Sequence, residues 1–183
     1  VVDKIDRCEL AYMDLISDEQ IMVTAQDISK FLWNFWNKQP SLDAQHLDKD
    51  RFAVHVNVDP ETQVPRSIIL PLEELIMNAI KYARIDRTEP AYKDRRVDLY
   101  LEEDGEEIVI MVVDNGDGIP LEDLDKIFLP DYRASNTGTA RGTGNGLAQT
   151  KATIESELSG TIECFSEEGK GTAFVIRIPK KKV

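Results

Sequence analysis

Apolar positions recur along this chain with two periods, and the alternation between them predicts its elements. Ile5, Cys8, Tyr12 and Leu15 fall at helical spacing, with Leu10, Met13 and Ile16 as a second seam. They predict a helix over 1–16 that is apolar on two sides and needs partners. Ser17-Asp18-Glu19 breaks it, and a short strand follows over 21–24. Asp27 is placed to cap a helix whose core face is Ile28, Phe31, Leu32 and Phe35, with Trp33 and Trp36 beside that face and Pro40-Ser41 at its end. Phe52, Val54, Val56 and Val58 alternate with Ala53, His55 and Asn57, the pattern of a half-buried strand.

Over 68–83 the period returns to helical. Leu72, Leu75, Ile76, Ala79, Ile80 and Ala83 make one stripe, while Glu74, Asn78 and Lys81 share another face. The polar stretch 86–96, with Pro90, reads as a loop. Strands over 97–103 and 106–114 flank Asp104-Gly105, a strong hairpin signal. A short helix is expected over 120–128 with Leu121, Leu124, Ile127 and Phe128 inward. The segment 129–141 is rich in small polar residues and reads as a mobile loop. A helix opening on glycines then runs to about Leu158, with Leu147, Thr150, Ile154 and Leu158 inside. A second hairpin pairs 161–166 with 172–178 before Pro179 stops the sheet and a solvated lysine tail follows.

Composition narrows what such a chain can be. Its 183 residues, 42% of them apolar, suffice for one domain with an appendage and a real core. A net charge of −12 opposes nucleic acid and anionic membranes as general partners, although local backbone can still bind phosphate. Cys8 and Cys164 have no metal spacing and read as reduced thiols of an intracellular protein. The first residue is Val, as in a piece cut from a longer chain.

Three stretches carry candidate chemistry. The strand ending at Asp114 runs into Gly116 and Gly118, which sets a fixed acceptor beside bare backbone and suits a flat, amine-bearing ligand. An ordinary Asp-Gly turn would look the same locally. Asn78 sits mid-helix, where its propensity is poor, and its amide oxygen could serve a hard cation held by phosphates; a solvated Glu–Asn–Lys ladder is the plainer account. Gly142-Thr143-Gly144-Asn145-Gly146-Leu147 opens a helix, where exposed N–H groups and the helix dipole favour an anion.

Taken in order, four boxes resemble the ATP-binding domain of the GHKL superfamily, the Bergerat fold shared by sensor histidine kinases, type II topoisomerases, heat-shock chaperone ATPases and mismatch-repair ATPases. They are Glu74-Leu-Ile-Met-Asn78-Ala79-Ile80-Lys81-Tyr82, Asp114-Asn-Gly116-Asp-Gly118, Gly142-Thr-Gly144-Asn-Gly146-Leu147 and Gly169-Lys-Gly171-Thr172. Asn78-Ala-Ile-Lys-Tyr82 and Lys126-Ile-Phe-Leu-Pro-Asp-Tyr132-Arg133 look most like histidine kinases. The resemblance spans about 21–179. It implies an α/β (α+β) sandwich, a mixed sheet with helices on one face, preceded here by the end of a long helix.

The resemblance further implies roles. Asp114 would accept the adenine amino group, Tyr82 would pack on adenine, and Asn78 would hold Mg2+. Lys81 and Arg133 would meet phosphates, and Glu74 would polarise the nucleophile. Gly142, Thr143, Gly144, Gly146 and Leu147 would cradle phosphates. Gly116, Gly118, Ile119, Gly171 and Thr172 would shape the adenine end, and 129–141 would be the lid. Residues 1–18 would be the end of a helical dimerisation and phosphotransfer hairpin, and 19–183 the catalytic domain.

Two residues depart from the kinase pattern. Asn145 stands where many kinases carry an aliphatic residue, and Glu74 where many carry Asn; a Glu there also serves hydrolases of the superfamily. His46 and His55 both fall inside the nucleotide domain and read as structural or surface residues, so the acceptor histidine is expected upstream. The resemblance therefore implies a histidine kinase domain using ATP and Mg2+ and releasing ADP. Its partners would be the hairpin and a response regulator, within a homodimeric, cytoplasmically oriented parent that membrane attachment would also suit. An ATP hydrolase driven by dimer closure, and a nucleotide-binding module without catalysis, are the alternatives.

Overall fold

The computed structural model describes residues 22–38, 52–82, 96–137 and 142–180. The helix expected over 1–16, the break at Ser17, His46, the loop 86–95 and positions 138–141 of the expected lid lie outside the described residues.

A five-stranded sheet carries the fold. Strands β2 (Phe52–Val56), β4 (Val97–Asp104), β5 (Glu107–Asp114), β6 (Thr161–Glu167) and β7 (Gly171–Pro179) lie in the order β2-β4-β5-β7-β6. The β2–β4 pair is parallel and the rest are antiparallel, so the sheet is mixed. Three helices, α1 (Ala25–Asn37), α2 (Ile69–Tyr82) and α3 (Gly146–Ser156), supply the second layer.

Register sorts the side chains into rows. On the helix side, Val56, Leu101, Ile110, Ile176 and Ile162 align across the sheet. The next row is Val54, Leu99, Val112, Phe174 and Cys164. Most of these are buried, and they pack with Ile28, Leu32, Leu72, Leu75, Ile76, Ile80 and Ile154 in one core. The opposite face shows Tyr100, Met111, Val175 and Glu163 in one row. Burying the helix-side rows is what holds the layers together, at about 25 cal/mol per Å² of apolar surface.

Several local expectations are corrected. The N-cap of α1 is Thr24, whose Oγ1 accepts from the Asp27 amide at 3.0 Å and donates to the Asp27 carboxylate at 2.8 Å. Asp27 thus lies in the first turn, where its charge suits the helix dipole. The buried stripe of α1 is Ala25, Ile28, Leu32 and Trp36, and Trp36 stacks on Phe52 at 4.9 Å between ring centroids. Phe31 and Phe35 are only partly buried.

A strand the periodicity did not show, β3 (Gln63–Pro65), pairs antiparallel with β1 (Met22–Thr24). Three residues ending in proline are too few to display a period. The stretch 120–128 forms a 3-10 turn at Leu121–Asp123 followed by further turns. Leu121 is 81% exposed, and the buried residue of that turn is instead Asp123.

Candidate functional site

The apolar rows of the sheet stop at one end. The third helix-side row reads Ser166, Thr172, Asp114 and Val97, three polar residues where the previous rows carry aliphatics. Strand register therefore places the Asp114 carboxylate and the Thr172 hydroxyl side by side at the margin of the core. Ser166 links them to the loop beyond β5: its Oγ accepts from the Ile119 amide at 2.8 Å, donates to the Gly171 carbonyl at 2.8 Å and lies 2.9 Å from Thr172 Oγ1. A serine on an edge strand gave no sequence signal for this role.

Above that row opens a cavity of about 440 Å³, within the usual range of ligand pockets. Glu74, Asn78, Lys81 and Tyr82 reach it from the last three turns of α2. Asp114, Gly118, Ile119 and Thr172 line the sheet end, and Gly142, Thr143, Gly144, Gly146 and Leu147 the entry to α3. Arg133 lines the remaining side. Fourteen of the sixteen expected site residues thus line one cavity, and Gly116 and Gly171 do not. Gly116 is a spacer: its amide donates to Asp114 Oδ1 at 2.7 Å, and a Cβ there would come within 2.8 Å of the Tyr82 carbonyl oxygen. It lets β5 and the end of α2 close on each other, fixing the carboxylate from behind.

Close backbone approach recurs around the cavity. Gly118, at φ +68°, has no room for a side chain against the Glu167 carbonyl, and the Gly169 amide donates to the Asp117 carbonyl at 2.7 Å. The loop after β5 is thereby joined to the β6–β7 turn. On the other side, Asn78 Nδ2 donates to Glu74 Oε1 at 3.3 Å, which leaves the Asn78 carbonyl oxygen as the atom not committed to Glu74. The Lys81 ammonium sits 4.8 Å from the Tyr82 ring centroid and beside Gly142.

Asn145 precedes α3 yet makes no side-chain cap bond to it. Its amide faces the other way: Oδ1 accepts from the Asp131 amide at 3.1 Å and Nδ2 donates to the Asp131 carboxylate at 2.8 Å. The first turn of α3 therefore keeps N–H groups that Asn145 does not satisfy, an arrangement suited to an anion. The described part of the expected mobile loop, 129–137, is tied to its surroundings. Tyr132 Oη donates to Asp123 at 2.7 Å, the Ser135 amide and hydroxyl donate to the same carboxylate at 2.7 and 2.8 Å, and Asn136 Nδ2 donates to the Gly118 carbonyl at 2.9 Å. These bonds hold the Asp123 carboxyl below the usual carboxylate range, led by the Tyr132 hydroxyl, and raise the Tyr132 phenol. The composition that reads as mobile over 129–137 thus also supplies tethers, because small polar residues donate and accept hydrogen bonds.

His55 lies away from the cavity. It sits 3.2 Å from Asp98, which Arg96 also meets at 3.1 Å, and it stacks on Tyr100 at 4.5 Å on the sheet face opposite the core rows. Among the described residues no cluster of three or more His, Cys, Asp or Glu could hold a metal, and no helix is long and apolar enough to cross a membrane.

Known proteins resemble this chain in sequence and in fold. Residues 63–182 match the family described as histidine kinase-, DNA gyrase B- and HSP90-like ATPase. The sensor protein kinase WalK of Staphylococcus saprophyticus is 31% identical over 95% of this chain, and that of Staphylococcus aureus is 32% identical over 95%. The chain spans 27% of the length of the first and 40% of the second. Among solved structures, the nucleotide-free catalytic domain of histidine kinase ThkA superposes with a TM-score of 0.67 at 21% identity, covering 87% of this chain and 95% of its own. The mycobacterial sensor histidine kinase MprB gives 0.61 at 20% identity, covering 89% and 99%. These two likenesses show the fold.

Proposed function

This chain belongs to the histidine kinase-, DNA gyrase B- and HSP90-like ATPase family, and we infer from that membership and from its WalK relatives that it is the ATP-binding catalytic domain of a sensor histidine kinase. The observation that carries this reading is the meeting of Asp114, Asn78, Lys81, Arg133 and the glycines of the α3 entry around one cavity.

The residues fit the nucleotide. Asp114 offers a carboxylate fixed from behind by the Gly116 amide, which suits the exocyclic amine of adenine. Lys81, Arg133 and the amides of the α3 entry suit a triphosphate, with the guanidinium able to fork onto phosphate oxygens. The fit to Mg2+ rests on the donor set: one amide oxygen at Asn78 and no protein cage among the described residues. That is the way Mg2+ binds beside phosphates, keeping most of its waters. When bound, Mg2+ would neutralise charge on the phosphate oxygens.

In this reading the chain positions and neutralises, as phosphoryl transfer requires. Asn78 would offer its amide oxygen to the metal, since its nitrogen is held by Glu74. Lys81 and Arg133 balance the phosphates, and Glu74 polarises the attacking nucleophile. The acceptor is a histidine on a helical hairpin. His55, bound to Asp98 on the far face of the sheet, is not the acceptor. The parent acts as a homodimer, passes its phosphoryl group to a response regulator, and presents this domain to cytoplasmic ATP.

The test supplies γ-labelled ATP and Mg2+ to this chain, alone and with a separate helical hairpin carrying histidine. Label on the hairpin histidine, with none on the chain, is the expected result. Label on His46 or His55 would overturn the placement of the acceptor. Phosphate release with no transfer to any hairpin would favour the hydrolase.

A further inference from the structure

The Asp123 carboxylate is 3% exposed, whereas most other acids among the described residues face water. Burying a charge is costly unless donors surround it. All three donors described on Asp123 come from one short segment: the Tyr132 hydroxyl, the Ser135 amide and the Ser135 hydroxyl. None comes from an α-helix or the sheet, Ser135 being the first residue of the short 3-10 turn Ser135–Thr137. What this carboxylate holds is the stretch 132–135, and the residue between its two anchors that lines the cavity with a charge is Arg133.

The same stretch is gripped from the opposite side. Asn145 takes both the amide and the carboxylate of Asp131, which adopts φ +59°. A Cβ on Gly144 would come within 2.6 Å of the Tyr132 carbonyl oxygen, so the segment lies directly on the glycine box. Arg133 Nη2 lies 3.4 Å from Thr137 Oγ1, one turn further along. Two anchors set before and after Arg133 limit where its backbone can go, and so where its guanidinium can reach.

We propose that Asp123, seconded by Asn145, is a positioning residue for Arg133, holding its guanidinium toward the terminal phosphate of the bound nucleotide. This rests on the nucleotide reading above and deepens it. A long cationic side chain on an untethered loop loses its freedom when phosphate binds; a clamp formed beforehand removes part of that cost. The effect falls on the phosphate that distinguishes ATP from ADP, since adenine and its Asp114 lie at the other end of the cavity.

The experiment measures ATP and ADP affinities by titration calorimetry for the wild-type chain, Arg133→Ala, Asp123→Ala and the double variant. Arg133→Ala is expected to shift the ATP-to-ADP affinity ratio by about tenfold or more, the effect of one lost bond to a charged group. Asp123→Ala should shift it in the same direction, and adding it to Arg133→Ala should shift it no further. Asn145→Leu should move the ratio the same way, which keeps the test open should Asp123→Ala unfold. An unchanged ratio in Asp123→Ala and Asn145→Leu overturns the proposal, and so does a double variant whose shift is the product of the two singles. An Arg133→Ala chain that binds both nucleotides with the wild-type ratio overturns it while leaving the nucleotide reading intact. A wild-type chain that binds neither nucleotide overturns both.

Discussion

The Glu74 side chain occupies the space a side chain at position 146 would fill: a Cβ built on Gly146 would overlap the Glu74 carboxylate. The first residue of α3 and the third-last turn of α2 therefore share one volume. Only hydrogen at position 146 allows it, and Asn78 is oriented through the same carboxylate at 3.3 Å.

Gly146→Ala should consequently harm chemistry more than folding. The Glu74 carboxyl can swing aside, which limits the cost to the lower part of the about 1–3 kcal/mol typical of overpacking. Swinging aside breaks its bond to Asn78 and moves the proposed nucleophile-polarising group. A displacement of about 1 Å in such a group costs roughly a hundredfold in rate. Thermal unfolding should stay near wild type while phosphoryl transfer to a supplied hairpin falls at least tenfold.

Asp114→Asn tests the adenine end. The variant can keep one oxygen for the Gly116 amide and presents an NH2 group where an acceptor stood. A donor left without its acceptor costs about 1–3 kcal/mol. Titration calorimetry should show ATP and ADP weakened equally, because both carry the same base. A loss confined to ATP would assign Asp114 to the phosphate end instead.

The Asp123–Tyr132 bond predicts a plateau in stability against pH. The folded-state Asp123 pKa is lowered, so the unfolded chain binds more protons on the acid side. Its stabilising contribution is complete above the unfolded value of about 3.9 and is lost as pH falls through the folded value. The Tyr132 pKa is raised, so that contribution is complete below about 10 and is lost as pH rises through its folded value. The difference in Tm between wild type and Tyr132→Phe should be constant between about pH 5 and 9 and shrink outside that window.

Burial pushes the Cys164 thiol up to about 12, with the Asp114 charge adding to the effect. Thiolate, the reactive form, is then scarce at neutral pH. In a Cys8→Ser chain, Cys164 should alkylate much more slowly at pH 8 in the folded state than in denaturant. The Asp114→Asn substitution should speed the folded-state reaction, since it removes the nearby charge. Equal rates folded and unfolded would show that this part of the sheet is open to solvent.

The elements were largely legible because period is a local property. Alternation at Phe52, Val54 and Val56, the stripe from Leu72 to Ile80 and the Asp104-Gly105 hairpin each state their geometry within a few residues, and the structure follows them. Three of the four boxes were equally plain, since close backbone approach demands glycine at fixed places. Neighbours across the chain were not. The polar row of Ser166, Thr172 and Asp114 exists only through strand register. Gly146 faces Glu74 only because α3 packs on α2, and Asp123 turned inward, where apolar Leu121 was expected, only because Tyr132 and Ser135 return to bond it. A sequence records what each residue prefers alone. Which carboxylate is buried, and which charge it holds in place, is decided by donors that arrive from elsewhere in the chain.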